Sequence, residues 1–435
     1  MTHPKFDAAA MSLPLWVATA FLAIAVLHTF LVSRLKSFGN RFPEGSTAEN
    51  LFHLLGEVEV AFGFWAGGFV LSLALADGSE DAVAYLRSRD FTEPSFVFVI
   101  MAACSTKPVL EFARGLMGAV ASGLTRLLRL PSAVAAYAST MVIGPLLGAF
   151  ITEPAAMTVT SLVLIGQLFT RTRSVRLKYA TLGLLFVSVS IGGTLTPYAA
   201  PPILMVAKTW NWDLAFMLTQ FGWKAVLTIV LGTGAIMFLF RRDFSELGSE
   251  DPFARTGRST PAWVVITHLV FIGLMVVSHK HLEVFMGIFC FFLGLVTVTK
   301  EYQEELRLRE SLLVAFFLGG IVVLGAPQSW WLEPLLSGLS DASLYLGAIG
   351  LTSITDNAAL TYLAAQIPTL PEAARTTVAA GAVIGGGLTV IANAPNPVGF
   401  SLLGEHFGKD GIHPLYLFIS ALPFTVLAAL IFWFL

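Results

Sequence analysis

The chain has 435 residues, of which 56% are hydrophobic and only 12% charged, and its mean hydropathy is +0.77. So little charge cannot cover the surface of a soluble protein of this length, and the composition is that of a polytopic membrane protein. The net charge of −2 comes without a basic tract, which gives no expectation of a nucleic-acid partner. Cys104 and Cys290 both sit in apolar runs and predict packed side chains, not a disulfide framework.

A membrane span needs about 20 apolar residues. The first run, 12–33, follows Lys5 but is too long for a signal-peptide core and has no A-x-A-like site after it, so it predicts a retained span. Spans follow at 50–76 and 94–118. The stretch 131–170 is too long for one span and is interrupted by "TEPAAMT" (152–158), which predicts two short helices in a re-entrant hairpin with its tip at "TEP". An interrupted span, 178–205, and a further span, 213–240, complete a first unit, residues 1–240. The polar linker "RRDFSELGSEDPFARTGRST" occupies 241–260. The second unit, 261–435, repeats the order: spans 261–278, 282–299 and 311–327, a hairpin 334–367 interrupted by "TDNAALT" (355–361), an interrupted span 373–405, and a last span 413–434. For each hairpin the alternative is two full spans joined by a polar turn outside the membrane.

The expected fold is therefore an all-α polytopic membrane protein of about 10 transmembrane helices, with two re-entrant helical hairpins and two interrupted helices. An odd number of crossings per unit makes the second unit inverted relative to the first, and inverted repeats with broken helices are a signature of secondary transporters. Of the 26 Lys and Arg residues, 17 fall on one side (Arg255, Arg258 and Lys409 among them) and 6 on the other, including Lys5. Lys107, Arg114 and Lys224 lie within spans. The positive-inside rule then predicts a cell inner (plasma) membrane protein with a cytoplasmic linker and both termini outside the cytoplasm, whether the hairpins re-enter or cross.

A second motif recurs in step with the first: "GGTLTPYAAPP" (192–202) and "GGGLTVIANAPNP" (385–397). Gly385 lies about 12 residues, or about 18 Å, into its span, near the bilayer middle. Glycine runs beside Pro395 and Pro397 cannot stay helical there, which predicts an unwound segment lining a polar cavity. A proline kink with packed glycines is the structural alternative.

The heptapeptides place Glu153 and Asp356 as N-caps of helices that begin inside the membrane, with Pro154 at the first helical position. Capping and ion binding are compatible roles for a carboxylate there, since an unanswered anion at mid-membrane costs about 2.5–3.5 kcal/mol. Thr152, Thr355, Thr196 and Thr389, with Asn357, Asn393 and Asn396, would add oxygen ligands, a set suited to a hard cation. The second unit carries more amides, so Asp356 is expected to matter more than Glu153. Lys107 and Glu111 are four residues apart on one helix face and form either structural glue, the favoured reading, or a proton-coupling pair. Asn50, His53 and Glu57 share a face that suits a scaffold, with Glu59 on the other side. His268, His279 and His281 have no metal spacing and suit the outer interface. No nucleotide-binding loop, H-E-x-x-H or G-x-S-x-G is present, so an enzyme reading has no site.

With "HLLGEVEVAFGFW" (53–65), "TEPAAMT", "SITDNAALT" and the two glycine breaks, the chain resembles the ion transporter superfamily, most closely its putative sodium/proton antiporter family. That resemblance covers nearly the whole chain and implies a homodimer in the lipid bilayer, with an inner scaffold and a mobile transport domain holding both hairpins. The superfamily's dicarboxylate branch carries Ser-Asn-Thr at its hairpin tips, where this chain has Glu153-Pro154 and Asp356-Asn357. Carboxylates there repel an anion and favour a cation. The expected function is sodium/proton antiport by alternating access, with no cofactor beyond the transported Na⁺ and H⁺. The alternatives are a sodium-coupled carrier of a small anion and a channel.

Overall fold

The computed structural model describes residues 15–247, 253, 259–408 and 411–435. Lys5, Arg255, Arg258, Lys409, the first residues of the span expected at 12–33 and half of the linker lie outside the described residues. Every regular element among the described residues is helical. In chain order they are α1 (Leu15–Thr29), α2 (Val32–Gly39), α3 (Thr47–Leu55), α4 (Val58–Ala76), α5 (Ser79–Arg87), α6 (Thr92–Cys104), α7 (Lys107–Leu128), α8 (Ser132–Ile151), α9 (Glu153–Leu164) and α10 (Val175–Gly192). Then come α11 (Pro201–Trp210), α12 (Leu214–Met217), α13 (Trp223–Leu239), α14 (Arg241–Glu246), α15 (Ala262–Val277), α16 (Leu282–Val298), α17 (Leu308–Gly325) and α18 (Ser329–Leu336). The last are α19 (Asp341–Thr352), α20 (Asn357–Ala365), α21 (Glu372–Gly385), α22 (Asn396–Gly404) and α23 (Pro414–Phe434).

Six helices are long and apolar enough to cross a membrane, or up to eight if each of two bent pairs counts as one span. The ten expected spans are not all recovered by that measure. α15 and α16 have only 16 and 17 residues, and the second interrupted helix is divided between α21 and α22. The outward faces are apolar: Leu75, Val277 and Val298 are 81%, 84% and 78% exposed, as lipid-facing side chains would be.

Two bends were not anticipated. α1 and α2 meet at 62°, and α6 and α7 at 70°. At the second, Pro108 sits in the first turn of α7 and has no N–H to continue the ladder from α6. The Ser105 and Thr106 hydroxyls donate to the Met101 and Ala103 carbonyls and so satisfy the end of α6. The run 94–118 is thus two helices. The expected span 50–76 is likewise divided at Gly56, into α3 and α4. The hairpin expected from 334 begins later, at Asp341, because Ser329–Leu336 forms the separate helix α18. Cys104 is buried as expected, whereas Cys290 is exposed on α16. His268 is fully buried within the protein, bonded to the Val264 carbonyl and to Gln303.

The buried apolar side chains sort into two bodies. One cluster joins α1, α4 to α7 and α15 to α17. Two others join α8 to α11, α13 and α19 to α23. Leu147, Ile151, Ala155, Val159, Leu204 and Ala358 face the first body from α8, α9, α11 and α20, and so mark the surface on which the bodies meet. Within the second body the units are interleaved: α11 packs on α20, and α22 packs on α9.

Candidate functional site

The first hairpin turns on a single residue. α8 ends at Ile151 and α9 begins at Glu153, with Thr152 between them at φ 71°, ψ 151°. A Cβ-bearing residue in that region is strained by roughly 1–3 kcal/mol, a cost met at functional turns. The Ala156 N–H bonds the Thr152 carbonyl at 3.0 Å, so Thr152 is the N-cap and Glu153 the first helical residue. This corrects the expected capping role of Glu153. The second hairpin turns over 353–356, and there Asp356 is the N-cap as expected. Its Oδ1 accepts from the N–H groups of Ala358 at 2.7 Å and Ala359 at 3.2 Å. Asn357 therefore occupies the position in α20 that Glu153 occupies in α9.

Matching contacts fix this register. Thr196 Oγ1 donates to the Ala149 carbonyl at 2.7 Å, and Thr389 Oγ1 donates to the Ser353 carbonyl at 2.8 Å, each four residues before the first residue of the second arm. A Cβ on Gly192 would lie 2.7 Å from the Pro145 oxygen, and one on Gly385 2.6 Å from the Ile349 oxygen, eight residues before the same points. Gly193 abuts Glu153 Oε1, and Gly386 abuts the Asn357 amide. The buried counterpart of Glu153 is thus Asn357. The sequence motifs, aligned letter by letter, pair it with Asp356.

The two broken helices cross beside the tips. Gly387 rests against the backbone of Val187, and Ser190 Oγ donates to the Val383 carbonyl at 2.6 Å. The second break then reaches both hairpins through two adjacent residues. The Ala392 carbonyl accepts from the Asn357 N–H at 3.1 Å, and Asn393 Nδ2 donates to Glu153 Oε2 at 2.9 Å. The expected assignment of Asn393 to Asp356, within one unit, is corrected: its amide serves the acid of the other unit. Asn396 braces its own break, with Nδ2 donating to the Gly386 and Thr389 carbonyls at 2.7 Å each.

Burial is nearly complete at this centre. Glu153, Asn357 and Asn396 are 0% exposed, Asn393 and Thr196 1%, and Thr152 3%. Glu153 Oε1, Thr152 Oγ1 and the Oδ1 atoms of Asn357, Asn393 and Asn396 have no hydrogen-bond partner. Each such atom costs about 1–3 kcal/mol when left unanswered. The Asn357 Nδ2 donor is also unpartnered, and the Thr152 hydroxyl can donate as well as accept. The other four atoms are acceptors with no basic side chain among the described residues to meet them, so the centre suits a proton or a small hard cation. Thr355 stands apart: it is half-buried and its hydroxyl is spent on the Leu351 carbonyl.

Asp356 is half-buried and lies within electrostatic reach of Glu59 on α4, while Glu153 lies within reach of Asp356. The sequence places Glu59 on the side opposite Asn50, His53 and Glu57, near the membrane interface where a scaffold role is expected, and Glu57 belongs to a different arrangement. Glu57 stands at the N-cap position of α4 without a side-chain cap bond, and its carboxylate pairs with Lys36 at 3.0 Å and Arg309 at 3.7 Å. Lys107 and Glu111 are not brought to the centre. They stand 4.0 Å apart at the start of α7, and Glu111 Oε2 also accepts from the N–H of Thr260, the last residue of the linker, at 3.2 Å.

A family model described as a putative Na+/H+ antiporter matches residues 14–435. No curated protein matches the chain. Among solved structures, that of the YdaH transporter of Alcanivorax borkumensis is 15% identical over 95% of this chain and 96% of that one, with a TM-score of 0.41. A likeness at that score carries no argument about this chain.

Proposed function

We propose that this chain, which belongs to the putative Na+/H+ antiporter family, exchanges sodium for protons by alternating access, with Glu153 as the group for which the two cations compete. The observation that carries this reading is the fully buried Glu153 carboxylate, held at Oε2 by Asn393 from the other unit and left without a partner at Oε1, in a centre where the amide oxygens of Asn357, Asn393 and Asn396 are also unpartnered. Ionised, it would hold Na⁺ with the amide oxygens of Asn357, Asn393 and Asn396 and the hydroxyl of Thr152. Protonated, its O–H becomes a donor that an amide oxygen can accept. One carboxylate cannot do both at once, and that exclusion couples the fluxes. Asp356 and Glu59 extend a line of acids from this centre toward α4.

The division of the apolar core supports the mechanical part. The body holding both hairpins and both breaks would move, and the body of α1, α4 to α7 and α15 to α17 would stay fixed, as a scaffold and a homodimer surface. The matched Thr–carbonyl and Gly–carbonyl contacts support a duplicated, inverted architecture with re-entrant hairpins. We place the protein in the inner membrane with both termini outside, on the strength of its charge asymmetry.

A second reading is sodium-coupled carriage of a small anion, favoured by the N-termini of α9 and α20 both starting at the centre. Asp356 already occupies the free N–H groups of α20, which weighs against it. Purified protein in liposomes loaded with a pH dye decides the matter. A sodium gradient with no carboxylate or oxyanion present should drive proton movement, and a strict requirement for such an anion would replace the first reading with the second.

A further inference from the structure

Lys208 lies near the end of α11, the helix that follows the first break, and its ammonium donates to Asp90 in the turn before α6. Glu93, on α6, stands 4.0 Å from the same nitrogen. These partners belong to different bodies. Around Lys208, Ile203, Val206 and Ala207 pack with α20 and α21, whereas Phe96 and Ile100 of α6 pack with α16 and α17. Direct contact between α6 and α11 is otherwise slight. Beside the ion pairs opens a cavity of about 610 Å³, walled by Glu93 and Phe96 from the first body, Lys208 from the second, His279 after α15, and Pro197 and Tyr198 of the break itself.

We infer that Lys208 is a latch between the two bodies: its bond to Asp90 fastens α11 to the start of α6 in this conformation, and its release frees α11 and the break at Pro197–Tyr198 to move, reshaping the cavity. The inference rests on the alternating-access reading above and assigns Lys208 a positioning role, away from the buried acids. The side chains of Lys208 and Asp90 are 55% and 40% exposed. An ion pair in water at that exposure is weak, which suits a contact that must break and re-form in every cycle.

The test measures the distance between the bodies by paired spin labels in full-length protein in nanodiscs, at low and high sodium. Labels go on Arg87→Cys of α5 and Thr209→Cys of α11, with the exposed Cys290 replaced by Ser. Two distance populations are expected. Lys208→Gln should shift them toward the longer by about two- to fivefold, the change that loss of an exposed pair supports. Asp90→Asn should do the same, Lys208→Arg should not, and Lys208→Asp combined with Asp90→Lys should restore the original balance. One unchanged distance in the parent protein and both neutral variants would overturn the latch, as would failure of the charge swap to restore it. The readout does not depend on which ion is carried, so failure of sodium/proton exchange would appear separately, in the liposome assay.

Discussion

Asn393 donates its amide to Glu153 across 240 residues of chain, so the second break of the molecule completes the first hairpin. The adjacent Ala392 carbonyl holds the start of α20 in the same way. Both hairpin tips are therefore bonded to one dipeptide, Ala392-Asn393. This makes one centre of two sequence motifs that each looked self-sufficient.

Glu153→Gln keeps an acceptor for Asn393 but removes the charge, so the protein should fold while sodium-driven proton movement falls to background. Asn393→Ala should leave Glu153 Oε2 unanswered, lowering stability by about 1–3 kcal/mol and weakening apparent sodium affinity. Thermal melting in detergent and the liposome assay check the two effects. Full exchange by the Glu153 variant would remove Glu153 from the centre of the mechanism.

Asp356→Asn should retain the cap on α20, since an amide oxygen can still accept from Ala358 and Ala359. Transport should persist with a changed sodium affinity, because a charge near Glu153 is lost. Asp356→Ala removes the cap as well and should cost about 0.5–2 kcal/mol of stability. An inactive but normally stable Asp356→Asn protein would exchange the roles of the two acids.

Much of this arrangement was legible in local signals. Pro154 marks the start of α9, Asp356 caps α20, and the glycine runs mark both breaks, because each is a rule about neighbours in sequence. The register between the units was not legible: the letters pair Glu153 with Asp356, and the packing of Gly192 on Pro145 and Gly385 on Ile349, with the matching Thr196 and Thr389 hydrogen bonds, reveals that Asn357 stands in its place. The Asn393–Glu153 bond has no local signature at all. The bend at 105–106 had one, Thr106-Lys107-Pro108, but the apolar run around it reads as a single span.

Gly193→Ala and Gly386→Ala test the close approach at the centre. An added methyl meets Glu153 in the first case and Ser190 with Asn357 in the second. Each should destabilise by about 1–3 kcal/mol and abolish most transport. Gly234→Ala on α13, where a methyl meets nothing within 4 Å, is the control and should be silent in both assays.

Lys107 and Glu111 are expected to act as glue. Their side chains are 26% and 29% exposed and 4.0 Å apart, and Glu111 also fixes Thr260. Glu111→Ala should lower the melting temperature while the surviving protein keeps its pH profile of transport. A displaced profile at unchanged stability would move the pair into the coupling machinery.

The Lys208–Asp90 arm of the latch should be insensitive to pH across the physiological range, and the reason lies in Asp90. Burial alone would raise its carboxyl above the ordinary value of 3.8, but the hydrogen bonds from Lys208 and Thr92 and the Lys208 charge outweigh burial and hold it lower. A carboxyl lowered in the folded state adds stability that is complete above its unfolded value and is lost as pH falls through its folded one. Asp90 thus stays ionised throughout the physiological range and to below its ordinary value. The melting difference between the parent protein and Asp90→Asn should be flat from about pH 5 to pH 8, and should close only below the ordinary carboxylate range. Glu93 stands 4.0 Å from Lys208, and Asp213, His279 and Lys280 also line this cavity, so the comparison is made in the parent background and again with Glu93→Gln and His279→Gln combined. A difference that closed between pH 5 and 7 in both backgrounds would mean that Asp90 is not held by Lys208 in the folded protein.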